Sequence, residues 1–127
     1  MRNVLAGLGL ALVTCLFLTS LPPDWARGVA SNLLTLIGAI YVGFALASKG
    51  QLSVLRQVLG CAFFVTLALL GLWISWWFLV VGLALHGVWD WLHHGAHGHG
   101  VVPRWYIPFC AFYDWAVAAF IAVFFAV

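Results

Sequence analysis

The chain has 127 residues, of which 66% are hydrophobic and only 6% are charged, and its mean hydropathy is +1.14. Soluble domains carry charge on about a quarter of their residues, so this composition excludes an ordinary soluble protein. It predicts an all-α polytopic transmembrane helical bundle, a single domain over residues 1–127 with about five spans of about 20 residues each. The formal net charge of +2 is too small and too scattered for nucleic-acid binding.

Apolar runs separated by short polar breaks predict where the spans lie. The first run is longer than the apolar core of a signal peptide and no small-residue cleavage site follows it, so it is predicted to be an uncleaved span. The predicted spans are residues 3–21, 29–48, 55–73, 74–94 and 105–127. Small residues at every fourth position of the first two spans predict close helix packing. These two stripes are Gly7, Ala11 and Cys15, and Thr35, Ala39, Gly43 and Ala47.

The basic residues predict the orientation of the bundle. With a cytoplasmic N-terminus, four of the five Lys and Arg residues lie on the cytoplasmic side and only Arg27 lies outside, as the positive-inside rule requires. Five spans then place the C-terminus outside. The loop between the fourth and fifth spans is therefore predicted to be cytoplasmic.

Ionisable side chains are concentrated between residues 86 and 114, which hold all five histidines and two of the three acidic residues. On a helix, five of these side chains fall within an arc of about 100°. They are His86, Asp90, His93, His94 and His97. His86 would lie about 12 Å from the end of its span and Asp114 about 13 Å along the next one, so an antiparallel hairpin brings them to the same depth. A second polar face on the last span is predicted to hold Tyr106, Cys110, Tyr113 and Asp114.

A carboxylate inside a bilayer costs several kcal/mol unless it is paired, protonated or bound to a cation. Imidazole and carboxylate groups that converge from two helices are the ligands of zinc or non-haem iron. The predicted metal ligands are His86, Asp90, His93, His94 and Asp114, with Asp90 and Asp114 as the catalytic candidates. His97 and His99 lie among glycines and are interpreted as part of a loop, and Cys110 is interpreted as a packing residue.

These residues support three hypotheses. The first is a metal-dependent membrane enzyme that acts on a lipid-like or membrane-dissolved substrate. In a hydrolase, the metal would lower the pKa of a bound water and an aspartate would be the general base. In an oxidase, iron would bind oxygen. The second is a non-catalytic metal-handling or transport protein. The third is an accessory subunit of a larger membrane complex. The expected partners are membrane lipid and a metal ion, with a homo-oligomer or a membrane complex as the higher assembly.

About the last 40 residues resemble a family of small uncharacterised bacterial membrane proteins, a domain of unknown function. The resemblance rests on His86-x3-Asp90-x2-His93-His94, a proline-containing loop, and Cys110-Ala-Phe-Tyr113-Asp114. In that family Trp-Asp-x2-His-His is followed by Cys-Ala-x-Cys-Asp, so Tyr113 stands where the second cysteine would be. The resemblance supports the choice of site residues and implies a location in the bacterial inner membrane. A looser similarity to seven-span hydrolases of the ceramidase and adiponectin-receptor type implies zinc held by histidines and an aspartate.

Overall fold

The computed structural model describes residues 1–94 and 101–127 and has five α-helices and no strand in these two ranges. The helices are α1 (Arg2–Thr19), α2 (Pro23–Ala47), α3 (Val54–Trp73), α4 (Trp76–Leu92) and α5 (Tyr106–Phe124). The predicted all-α bundle is thus confirmed. Helices α1, α2, α3 and α5 are long and apolar enough to cross a membrane, whereas α4 is a shorter apolar helix of 17 residues, about 25 Å long.

Several helix ends differ from the predicted spans, and two of the differences have a local cause. Helix α2 begins at Pro23, inside the stretch predicted to be a break, because proline is well accommodated in a first helical turn, where no N–H is needed. Asp24 follows in that turn, where a carboxylate complements the helix dipole. Helix α4 ends at Leu92, since His93 leaves the helical conformation, so the span predicted to reach residue 94 was too long. The turn predicted among the tryptophans is confirmed, because only residues 74 and 75 separate α3 from α4.

Helix α4 contacts α2, α3 and α5, and α1 packs mainly on α5. The predicted stripe on α1 is confirmed: Gly7, Ala11 and Cys15 are all buried. A Cβ atom on Gly7 would collide with the backbone carbonyl of Phe109, so α1 and α5 approach more closely there than any other residue would allow. Gly87 likewise allows α4 and α5 to pack closely, because a Cβ atom there would collide with the Trp115 indole.

The predicted stripe on α2 was wrong. Ala39, Gly43 and Ala47 are exposed, and a Cβ atom on Gly43 would meet nothing within 4 Å. The buried face of α2 instead carries larger side chains, among them Leu34 and Tyr41. Because Tyr41 lies about 200° around the helix from Gly43, turning its hydroxyl towards a buried partner turns the small residues outwards.

Candidate metal centre

The centre of the bundle holds a histidine and two aspartates that are completely buried. His86 and Asp90 lie one turn apart on α4, and Asp114 lies on α5. His86 Nδ1 is 2.7 Å from Asp114 Oδ2 and 3.6 Å from Asp90 Oδ2. The expectation that His86 and Asp114 meet at one depth is confirmed. Two carboxylates against a single imidazole leave an excess of negative charge unless a proton or a cation joins them.

Cys110 is the fourth member of this cluster. It lies one turn before Asp114, is buried, and its thiol donates a 3.7 Å hydrogen bond to Asp114 Oδ2. One potential ligand atom from each of His86, Asp90, Cys110 and Asp114 lies within 4.8 Å of all the others. The ligands of a tetrahedral zinc ion lie about 3.3–3.8 Å apart, because each bond is about 2.0–2.3 Å long. Spacings of up to 4.8 Å in the cluster would therefore have to shorten by about 1 Å to hold zinc.

Three atoms of the cluster lack a hydrogen-bond partner among the described residues. They are His86 Nε2, Asp90 Oδ2 and Asp114 Oδ1, and all three are buried. Buried polar atoms are rarely left unpaired, because each loses its hydration without compensation. An imidazole nitrogen and two carboxylate oxygens are also the donor types that zinc and iron bind. The residues present therefore fit a metal ion.

Tyr41 of α2 holds one of the two carboxylates in place. Its hydroxyl donates a 2.8 Å hydrogen bond to Asp90 Oδ1, and the residue is buried. This bond occupies Oδ1 and leaves Oδ2 towards His86. Partners that orient metal ligands typically contribute about 10–100-fold to metal affinity. The sequence prediction missed Tyr41, although a single tyrosine in the middle of an apolar span indicates a hydroxyl that needs a buried partner.

Aromatic rings surround the cluster. The Phe64 ring lies with its centroid 4.8 Å from that of His86, in an edge-to-face arrangement. A Cβ atom on Gly38 would press on Phe64, so the glycine allows this ring to lie deep between α2 and α4. Tyr106 is buried nearby, 6.2 Å from Tyr41 between ring centroids, and its hydroxyl has no hydrogen-bond partner among the described residues. These rings limit the access of water.

The structure does not bring His93 and His94 into the four-residue cluster. His93 Nδ1 is 2.9 Å from the Trp89 carbonyl oxygen, which can only accept, so Nδ1 carries the proton. His93 Nε2 then accepts a hydrogen bond from Gln57 Nε2 at 3.1 Å, which joins the end of α4 to the start of α3. His94 is exposed and stacks on Trp91. His97 and His99 lie outside the described residues.

Tyr113, another residue of the polar face predicted on α5, lies outside the four-residue cluster. The Tyr113 and Thr14 hydroxyls are 3.1 Å apart and connect α5 to α1. The prediction that Tyr113 shares the polar face of Asp114 was therefore wrong. The two residues are consecutive, about 100° apart around the helix, and α1 occupies the Tyr113 side.

Fold and cluster together define a class: a small polytopic helical membrane protein with a buried His-Asp-Cys-Asp cluster that could hold a metal ion. The chain belongs to the Family of unknown function (DUF6010), whose model matches residues 2–126. The resemblance to an uncharacterised family is thereby confirmed, and it extends over nearly the whole chain. No curated protein and no solved structure matches the chain.

Proposed function

We propose that the chain is a membrane-embedded metalloenzyme that binds one zinc or iron ion at the His86, Asp90, Cys110 and Asp114 cluster and acts on a lipid-like substrate. The observation that carries the proposal is a group of three completely buried atoms, one each from His86, Asp90 and Asp114, that have no hydrogen-bond partner among the described residues. A structural cluster would satisfy these atoms internally, because unpaired polar atoms destabilise an apolar bundle.

The donor set favours zinc over iron. Cysteine, histidine and aspartate are all common zinc ligands. The usual non-haem iron triad has two histidines and one carboxylate, whereas this cluster has one histidine and two carboxylates.

The side chains divide into holding and reacting roles. Zinc supplies Lewis acidity and lowers the pKa of a bound water to about 7. His86 is oriented by Asp114 and Asp90 by Tyr41, so the two pairs keep donor atoms fixed from three helices. If three of the four side chains hold the metal, the remaining aspartate would be the group that accepts a proton from a water molecule, as a general base requires. The apolar surroundings favour a substrate that arrives from the membrane.

Metal analysis and a turnover assay on the detergent-purified protein test the proposal together. We expect about one zinc per chain, lost in the Asp114→Asn variant, and hydrolysis products from a bacterial polar lipid extract only with metal-loaded protein. A stoichiometric metal without turnover would support the alternative of a metal-handling protein. A folded wild-type protein that binds neither zinc nor iron would refute the metal site itself.

A further inference from the structure

A groove of about 650 Å³ lies between α3 and α4, on the outside of the bundle. Its walls are mainly apolar and include Leu59 and Phe63 from α3 and Leu85 and Val88 from α4. These four residues are exposed, so nothing in the described part of the chain covers them. The volume is in the range of small-molecule sites.

One end of the groove is cationic. Arg56 lies in the first turn of α3, and its guanidinium stacks on the Trp89 ring, 5.8 Å from the centroid. A basic residue in the first turn adds to the positive end of the helix dipole, and α3 has no acidic residue there to oppose it. The Ser53 side chain, also in the groove wall, caps the helix at the Arg56 N–H.

No side-chain carboxylate of the protein is placed to neutralise this end. The sequence contains three acidic residues. Asp90 and Asp114 are completely buried in the cluster. Asp24 lies at the start of α2, and Arg56 lies just beyond its other end, at the start of α3. The 25 residues of α2 make the helix about 37 Å long, so the two side chains are far apart. Arg56 therefore presents an unpaired cation at the mouth of an apolar groove.

The groove is cationic at one end and apolar along the rest of its length, which matches an amphiphilic molecule that lies along α3. Arg56 is near the start of the helix, and Phe64, at the inner end of the groove, is about 12 Å further along it. Anionic lipid headgroups are attracted to basic residues at the membrane boundary, while acyl chains lie deeper. We propose that this groove binds a lipid with an anionic headgroup, with the headgroup at Arg56 and an acyl chain between Leu59 and Val88.

This binding needs no metal, so it goes beyond the proposed function and can be tested separately from it. Native mass spectrometry of the full chain can compare retention of dioleoyl-phosphatidylglycerol with that of dioleoyl-phosphatidylcholine. We expect the wild-type protein to prefer phosphatidylglycerol by about fivefold, the effect of one basic residue near an anionic headgroup. The Arg56→Gln variant should lose this preference.

The chain offers matched controls. Arg27 stacks on Trp76 at the other end of the bundle, so Arg27→Gln removes an equivalent cation–π contact outside the groove and should keep the preference. Val88→Trp should fill the groove and abolish the preference, whereas Val81→Trp should not, because Val81 is equally exposed on α4 but outside the groove. Equal retention of both lipids by the wild type, or an unchanged preference in Arg56→Gln or Val88→Trp, would overturn the proposal.

Discussion

The Tyr41 hydroxyl donates a 2.8 Å hydrogen bond to Asp90 Oδ1 and thereby connects α2 to the helix that carries two members of the cluster. Both residues are buried, so water cannot replace this bond. The carboxylate is held in one orientation, with its other oxygen 3.6 Å from His86 Nδ1. Tyr41 thus couples the packing of α2 to the geometry of the candidate metal centre.

Removal of this hydroxyl should weaken metal binding. We expect Tyr41→Phe to lower metal affinity by about 10–100-fold, as for other residues that orient metal ligands, and to cost about 1–3 kcal/mol of stability because Asp90 Oδ1 loses its donor. Tyr113→Phe is the matched control, since it removes a hydroxyl contact to Thr14 away from the cluster. Competition with a chelator measures the affinities. Equal losses in both variants would contradict a specific role for Tyr41.

The buried residues should bind metal, and the loop histidines should contribute little. Replacement of His86 or Asp90 by alanine should abolish stoichiometric zinc or iron, because these side chains are fixed by α4 in the centre of the bundle. His94→Ala should keep the metal, since His94 is exposed. The double variant His97→Ala, His99→Ala should keep most of it. Elemental analysis measures the stoichiometry, and loss of metal only in the loop variant would indicate a surface chelator.

Cys110 should behave differently from the other cysteines. If its thiolate is a zinc ligand, Cys110→Ala should reduce zinc affinity, and the same change at Cys61 should not, because Cys61 is half-buried and outside the cluster. Cobalt substitution gives the measurement, since a cysteine ligand adds a sulfur-to-metal charge-transfer absorption. A Cys110→Ala protein with the wild-type cobalt spectrum would show that the thiol is a packing group.

Gly7 and Gly43 lie in stripes of small residues with the same spacing, but an added methyl group should lower the stability of the protein only at Gly7. Gly7→Ala should destabilise the protein by about 1–3 kcal/mol, because the new Cβ meets the Phe109 carbonyl, which cannot move without shifting α5. Gly43→Ala has open space and should leave stability unchanged or slightly raised. Thermal melting in detergent measures both. A lower melting temperature for Gly43→Ala alone would indicate that the α2 stripe is in contact after all.

The orientation of the bundle is a further prediction. Five consecutive membrane-crossing helices, including the short α4, should place the N-terminus in the cytoplasm and the C-terminus outside, given the distribution of Lys and Arg. Reporter fusions at the two ends measure this directly. Reporters active on the same side would show that one helix, with α4 the first to consider, does not cross.

Much of the architecture could be predicted from hydropathy alone, because a membrane span is defined by its length and apolarity. The pairing of His86 with Asp114 was also predictable, since two adjacent antiparallel helices fix the depth of each residue from its distance to the loop. Cys110 and Tyr41 were harder. Cys110 is an ordinary packing residue by type, and a tyrosine in an apolar span indicates that its hydroxyl has a buried partner but does not say which one. Only their contacts with the two aspartates identify these residues.

The rotation of α2 about its axis and the residue at which α4 ends could not be predicted. The stripe on α2 has the spacing of a packing motif, yet α2 turns Tyr41 inwards and the stripe outwards. His93 has the helical spacing of a ligand, but α4 ends before it and its ring bonds Gln57 and the Trp89 carbonyl. Such outcomes depend on which neighbour satisfies each polar group, and sequence periodicity does not contain that information.

The cluster is assembled from helices that are made at different times. Translation produces His86 and Asp90 before Asp114. Asp90 can already meet Tyr41 of α2, but α4 enters the membrane while the closest partner of His86 is still on the ribosome or in the insertion machinery. These side chains lower the preference of α4 for lipid until α5 arrives beside it. Helix α5 therefore completes the polar cluster and, in the same step, the insertion of α4. A chain that stops before α5 should be a preferred target of membrane quality control.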